Sequence, residues 1–317
     1  MFPVADFAII AICIAGLYFG AKWIVAAAVG LARKLGVSDI VIGLTIVAIG
    51  TSTPELAVTI SSVIRQEIDL AIGNVVGSNI INLGFILGGV AIISTVPVTR
   101  RLVLRDGGML IGATLLLVLF FLDHTFTWWE GAVFLLVLLV YIASLIASQD
   151  MIRSIPTMRD FNWQDVPWFL LGSILVVVCS DLFIASALNI ANYFDSTSWV
   201  IGVTLVALGT SLPEIMASGI AALNGRPEIS VGNLIGSNLF NLLGVMGLAG
   251  LLSPNGNMHL GQFLVESSWM LLILMLTVVW MMFTGWEVSK REGIALFIIA
   301  TLCWVINFSD LTLIELF

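Results

Sequence analysis

Apolar runs of about twenty residues recur from one end of this chain to the other, and few folds can hold them. In lipid every backbone N–H and C=O needs an internal partner, which leaves helices and closed barrels. The runs are continuous rather than alternating, which argues against a barrel. The fold class expected is an all-α membrane protein. Charge agrees: 60% of residues are hydrophobic and 10% are charged, where a soluble domain carries about 25% charged residues. We place ten transmembrane helices over residues 6–32, 39–65, 69–92, 103–122, 128–148, 165–193, 198–224, 228–251, 262–284 and 293–310. The N-terminus lacks a basic n-region, so no cleavable signal peptide is expected. Cys13, Cys179 and Cys303 are isolated within apolar spans and read as small buried hydrophobes.

Basic residues orient the spans. Arg33, Lys34, Arg100, Arg101, Arg105, Arg153, Arg159, Arg226, Lys290 and Arg291 collect on one side. Arg65 alone lies on the other, and Lys22 lies inside the first span. The Arg-rich side is expected in the cytoplasm of a cell membrane, with both termini extracellular. Basic residues so scattered make no phosphate-binding patch, and no nucleic-acid partner is expected. The longest polar stretch divides the chain into an N-terminal five-span repeat (1–148), a cytoplasmic linker (149–164) and a C-terminal five-span repeat (165–317). That linker is too short for a folded regulatory domain.

Residues 43–82 return as residues 202–241 at a constant offset of 159, without gaps, and fifteen of the forty positions are identical. Five spans is an odd number, so the second repeat enters the membrane from the opposite side. This is the inverted-repeat plan, in which a pseudo-two-fold axis lies in the membrane plane and substrates bind near the bilayer midplane. The identities cluster in Gly50-Thr51-Ser52-Thr53-Pro54-Glu55 with Gly209-Thr210-Ser211-Leu212-Pro213-Glu214. They cluster again in Gly73-Asn74-Val75-Val76-Gly77-Ser78-Asn79-Ile80-Ile81-Asn82 with Gly232-Asn233-Leu234-Ile235-Gly236-Ser237-Asn238-Leu239-Phe240-Asn241.

The chemistry of these stretches points to a hard cation. Pro54 and Pro213 lack an N–H and crowd the carbonyls of Gly50 and Gly209, so backbone oxygens near Thr51 and Thr210 are expected to lose helical partners. Helical spacing puts Ala48, Thr51, Ser52 and Glu55 on one face, and Ala207, Thr210, Ser211 and Glu214 on another. Ser78 and Asn82 are i,i+4, as are Ser237 and Asn241, and glycines at 73, 77, 84, 232, 236 and 244 are expected to let helices approach. The donors are carboxylates, hydroxyls, amides and carbonyls, without thiolate or imidazole. Such a set suits Ca²⁺ or Na⁺ and not zinc or copper. An unpaired charge at membrane depth costs roughly 2.5–3.5 kcal/mol, so two glutamates at matched positions imply a bound ion. Lys22 and Asp181 also share the offset and read as an ion pair or as interfacial residues. His124 and His259 fall in outer loops and read as solvated, and Trp128, Trp129, Trp163 and Trp168 read as interfacial anchors.

The paired motifs resemble the two α-repeats of the cation/calcium exchanger superfamily, in its prokaryotic sodium/calcium exchanger branch. The resemblance covers the chain in topology and is most specific at Gly-Thr-Ser-x-Pro-Glu and Gly-Ser-Asn-x-x-Asn. It implies ten helices, with the second, third, seventh and eighth around the site, and sliding of the first and sixth as the alternating-access step. It implies Glu55 and Glu214 as calcium-binding acids and Thr51, Ser52, Thr210 and Ser211 as oxygen ligands. It further implies Ser78 and Ser237 as sodium-site serines, Asn82 as a central amide, and Ala48 and Ala207 as carbonyl donors. Asn241 departs from members that carry Asp there, which argues against potassium dependence. The Gly-Asn-x-x-Glu pattern of the proton-coupled branch is absent, which favours sodium.

The function expected is secondary antiport of Ca²⁺ against Na⁺ across the cell membrane by alternating access. Partners are the two ions and the lipid bilayer; no cofactor and no protein partner is implied. A Ca²⁺/H⁺ antiporter is the alternative within the same architecture. An intramembrane enzyme with Glu55 and Glu214 as a dyad is the alternative of another class, and no candidate nucleophile supports it, so the chain is not expected to be an enzyme.

Overall fold

A computed structural model describes residues 4–35, 39–147, 165–193, 208–253 and 256–314. Helices dominate. They are α1 (Val4–Leu35), α2 (Ile40–Thr51), α3 (Thr53–Ile64), α4 (Ile68–Ile93), α5 (Leu102–Phe121), α6 (Trp128–Ala147), α7 (Asp165–Tyr193), α8 (Leu212–Leu223), α9 (Pro227–Leu252), α10 (Gln262–Gly285) and α11 (Lys290–Ile314). Among the described residues six helices are long and apolar enough to cross a membrane, or seven if α2 and α3, inclined by 46°, count as one broken span. The expected linker at 149–164 lies outside the described residues.

The chain forms two compact units, and neither is a sequence repeat. One comprises residues 1–55 and 138–240, the other residues 56–137 and 241–317. In the first, α1 packs along α7, and α9 packs against α2 and α8. Gly43, Gly232 and Gly236 make the α2–α9 contact possible. A Cβ on Gly236 would stand 2.6 Å from the Leu44 carbonyl oxygen, and one on Gly232 would stand 2.7 Å from that of Ile40. In the second unit α5 packs on α10, and α11 packs on α4, where a side chain on Gly84 would overlap Ala300. Gly73 has nothing within 4 Å of such a Cβ, so this glycine does not serve the close approach expected of it.

Four short strands join the two halves of the chain. β1 (Val96–Pro97) pairs with β4 (Glu287–Val288), and β2 (Thr125–Thr127) pairs with β3 (Asn257–His259), both antiparallel. Each pair takes one strand from each repeat. His259 is thus a strand residue opposite Thr125, and the His124 carbonyl accepts from the Leu260 N–H at 2.8 Å. His124 itself lies in the bend between α5 and β2, β3 lies between α9 and α10, and both side chains are exposed, as read from the sequence. Lys22 is exposed beside Trp23, whose ring lies 4.9 Å from that of Trp168. The Asp181 side chain and Trp163 lie outside what is described.

The offset of 159 reappears as geometry. The chain leaves helical geometry at Ser52 (φ −83°, ψ 12°) and at Ser211 (φ −84°, ψ 1°). Pro54 and Pro213 then sit in the first turn of α3 and α8, where the missing N–H has no helical acceptor anyway. The break lies at the serine, Ser52 N–H still donates to the Ala48 carbonyl at 3.0 Å, and the proline starts a new helix. π turns at Ile81–Ile86 and Phe240–Val245 also obey the offset. Such turns shift the hydrogen-bond register by a residue and are frequent at functional sites. Asn82 and Asn241 occupy their second positions.

Candidate ion-binding site

The first unit gathers both acids. Restarting the helix after Ser52 and Ser211 puts Glu55 and Glu214 in first turns, where exposed backbone N–H groups favour negative charge. Ser52 donates to Glu214 Oε1 at 3.0 Å, and Ser211 donates to Glu55 Oε1 at 3.4 Å. The two bonds exchange under the offset, as a two-fold axis requires. Ser237 also donates to Glu214 Oε1, at 3.3 Å, and lies 3.4 Å from Thr51 Oγ1. Thr210 hydrogen-bonds Glu55. Ala48 is buried, and its carbonyl accepts from Thr51 Oγ1 at 3.3 Å. Both carboxylates are at 0% exposure. Each of these partners is a neutral hydroxyl, and Glu214 Oε2 has no partner. Two buried acids held this way are expensive unless a cation joins them.

The second unit gathers the remaining amides. Asn241 Nδ2 donates to Ser78 Oγ at 3.2 Å, and Ser78 donates to the Val75 carbonyl at 3.1 Å. Asn241 Oδ1 has no partner, and neither does Nδ2 or Oδ1 of the fully buried Asn82. Each orphaned buried group costs about 1–3 kcal/mol.

The structure thus brings together Ala48, Thr51, Ser52, Glu55, Thr210, Ser211, Glu214 and Ser237 in one unit, and Ser78, Asn82 and Asn241 in the other. Ala207 lies outside the described residues. Two polar pairs were given no role in the sequence reading, although Asn74 and Asn233 stand in its motifs. Asn233 Nδ2 donates to Ser218 Oγ at 3.0 Å, and Asn74 Nδ2 donates to Thr59 Oγ1 at 3.1 Å. These pairs also obey the offset of 159. Asn74 and Asn233 precede Ser78 and Ser237 by four residues, so extending each stripe back by one turn would have found them. Among the described residues no three His, Cys, Asp or Glu stand together. The donors that do stand together are the oxygen-rich set a hard cation takes.

Comparison with known proteins follows the same lines. The sodium/calcium exchanger protein family matches residues 6–147 and 165–309. The sodium/calcium exchanger MaX1 of Methanosarcina acetivorans is 30% identical, over 90% of this chain and 94% of its own. Structures of the sodium-calcium exchanger NCX_Mj superpose closely. One soaked with 2.5 mM Na⁺ and 0.1 mM Ca²⁺ has a TM-score of 0.82 at 28% identity, covering 94% of this chain and 97% of that one. Another, soaked with 10 mM Na⁺ and 10 mM Sr²⁺, has a TM-score of 0.83 at 28% identity, over 95% and 98%.

Proposed function

The chain belongs to the sodium/calcium exchanger family of multi-pass membrane proteins, and from that premise we propose that it exchanges Ca²⁺ for Na⁺ across the cell membrane. The observation that carries this reading is the buried pair Glu55 and Glu214, held by serine hydroxyls related by the repeat. Two carboxylates match the charge of one Ca²⁺, and the hydroxyls and carbonyls around them suit either ion. Glu55 and Glu214 bind Ca²⁺ in this proposal, with Ser52, Ser211 and the carbonyls of Ala48 and Ala207. Thr51, Thr210, Ser78, Ser237, Asn82 and Asn241 add neutral oxygens for Na⁺. No cofactor takes part.

Coupling follows from charge. With no cation bound, access could change sides only with two unneutralised carboxylates buried, which is costly. Loaded with Ca²⁺ or with Na⁺, the acids are neutralised and the site can close. Since both ions compete for the carboxylate oxygens of Glu55 and Glu214, one leaves as the other enters, and the protein exchanges rather than leaks. We further propose ten spans, with the Arg-rich loops cytoplasmic and both termini outside.

The test is Ca²⁺ uptake by proteoliposomes holding an outward Na⁺ gradient, with the pH gradient set independently. Uptake should follow Na⁺. Uptake that ignores Na⁺ and follows pH would move the protein to the proton-coupled class, and uptake with no counter-ion dependence would make it a channel.

A further inference from the structure

A hydroxyl that coordinates a cation must turn its single hydrogen elsewhere, so some acceptor has to take it. Three acceptors stand within 3.4 Å of Thr51 Oγ1: Asn233 Oδ1 at 3.2 Å, the Ala48 carbonyl at 3.3 Å and Ser237 Oγ at 3.4 Å. Thr51 also reaches the Glu214 carboxylate, whose lone pairs a bound cation would claim. Asn233 is the nearest, and its amide is hydrogen-bonded at both ends. Nδ2 donates to Ser218 Oγ at 3.0 Å, which leaves Oδ1 facing Thr51. Turned over, the amide would offer Thr51 a donor and occupy the lone pair that a cation needs. Asn233, Ser218, Thr51 and Ser237 are all fully buried in the first unit, so no solvent competes for these bonds. The repeat keeps the same anchoring bond, with Asn74 Nδ2 on Thr59 Oγ1 at 3.1 Å.

We propose that Asn233, anchored by Ser218, is a positioning residue that takes the Thr51 proton and so presents the Thr51 lone pairs to the transported cation, with its weight on Na⁺ rather than Ca²⁺. The inference rests on the exchanger reading. Its selectivity follows from the proposed ligand sets. Ca²⁺ is held by both carboxylates, whereas Thr51 is one of the neutral oxygens proposed for Na⁺, so a misdirected Thr51 hydroxyl weighs on Na⁺ first.

The experiment measures half-saturating Na⁺ and half-saturating Ca²⁺ separately in proteoliposomes of wild type, Asn233→Ala, Ser218→Ala and Ser218→Thr. Asn233→Ala should raise half-saturating Na⁺ about 3–10-fold, the value of one buried neutral hydrogen bond, and move Ca²⁺ less than half as far on a logarithmic scale. Ser218→Ala should shift Na⁺ in the same direction by less. Ser218→Thr should restore the wild-type value, because the repeat already uses Thr59 there. Equal shifts for the two ions, or an unchanged Na⁺ value, would overturn the proposal. If Asn233→Ala yields no monodisperse protein, Ser218→Ala decides by the same ratio. Wild-type protein without Na⁺-driven uptake sinks the exchanger reading; wild-type exchange with an unmoved Asn233→Ala sinks only this inference.

Discussion

At the scale of single residues, the molecule is governed by two buried acids held by neutral hydroxyls. Glu214 accepts from Ser52 and Ser237 and leaves Oε2 open. Replacing it by Gln keeps the shape and removes the charge. Hydrogen bonds and contacts to charged groups are worth about 1.5–3 kcal/mol, so Glu214→Gln should weaken Ca²⁺ by about 10–100-fold. Glu55→Gln should do the same, and radioactive Ca²⁺ uptake measures both. A second measurement needs no transport. Calcium at a hundred times the wild-type dissociation constant should stabilise the wild type by about 2.7 kcal/mol, visible as a raised melting temperature in detergent, and the same calcium should stabilise Glu214→Gln by only about 0.4–1.4 kcal/mol. Equal stabilisation of variant and wild type would remove Glu214 from the site. Most of these residues were legible in the sequence, because the repeat marks a mid-span acid twice and a packing residue has no reason to be an acid. Asn233 and Ser218 were not singled out. Their importance lies in a bond between two helices, α9 and α8, and spacing along one helix does not display such a bond.

At the scale of elements, the contact between α2 and α9 is the tightest test of packing. A Cβ at Gly236 meets the backbone of Leu44 and not a side chain that could turn away. Gly236→Ala should therefore cost about 1–3 kcal/mol by overpacking, read as a lower melting temperature. Gly73→Ala, with open space around it, should be neutral or gain about 0.5–1 kcal/mol through helix propensity. Equal losses at the two positions would refute the close approach. Helix ends were legible to within a few residues, since Asp39, Asp165 and Gln262 stand where apolar runs begin. The strands and π turns were not. β1 and β4 are two residues each, too short for any alternation. A π turn such as Ile81–Ile86 is a change of hydrogen-bond register with no residue signature of its own.

At the scale of the molecule, sidedness can be checked strand by strand. Because β2 pairs with β3, His124 and His259 must lie on one side of the membrane; because β1 pairs with β4, Arg100 and Lys290 must share a side. All four are exposed. In a cysteine-free background, His124→Cys and His259→Cys should react with an impermeant maleimide on intact cells, and Arg100→Cys and Lys290→Cys only after permeabilisation. Labelling that split His124 from His259 would contradict the strand pairing itself, and labelling with both pairs reversed would contradict the proposed orientation alone.

The strand pairs also bear on how the protein is made. Val96 pairs with Val288, and Phe126 with Met258, so residues from the first repeat wait for partners translated far later. Chains emerge N-terminus first, and closing so long a loop carries its entropic cost before any contact repays it. Translation as far as the linker leaves β1 and β2 with open edges and no means of closing them. The N-terminal half of the chain is therefore expected to be a stage of biogenesis and not a free-standing product. Ribosome-bound chains should stay protease-sensitive at both loops until residue 288 has cleared the translocon, and the protein matures only once its second repeat is nearly complete.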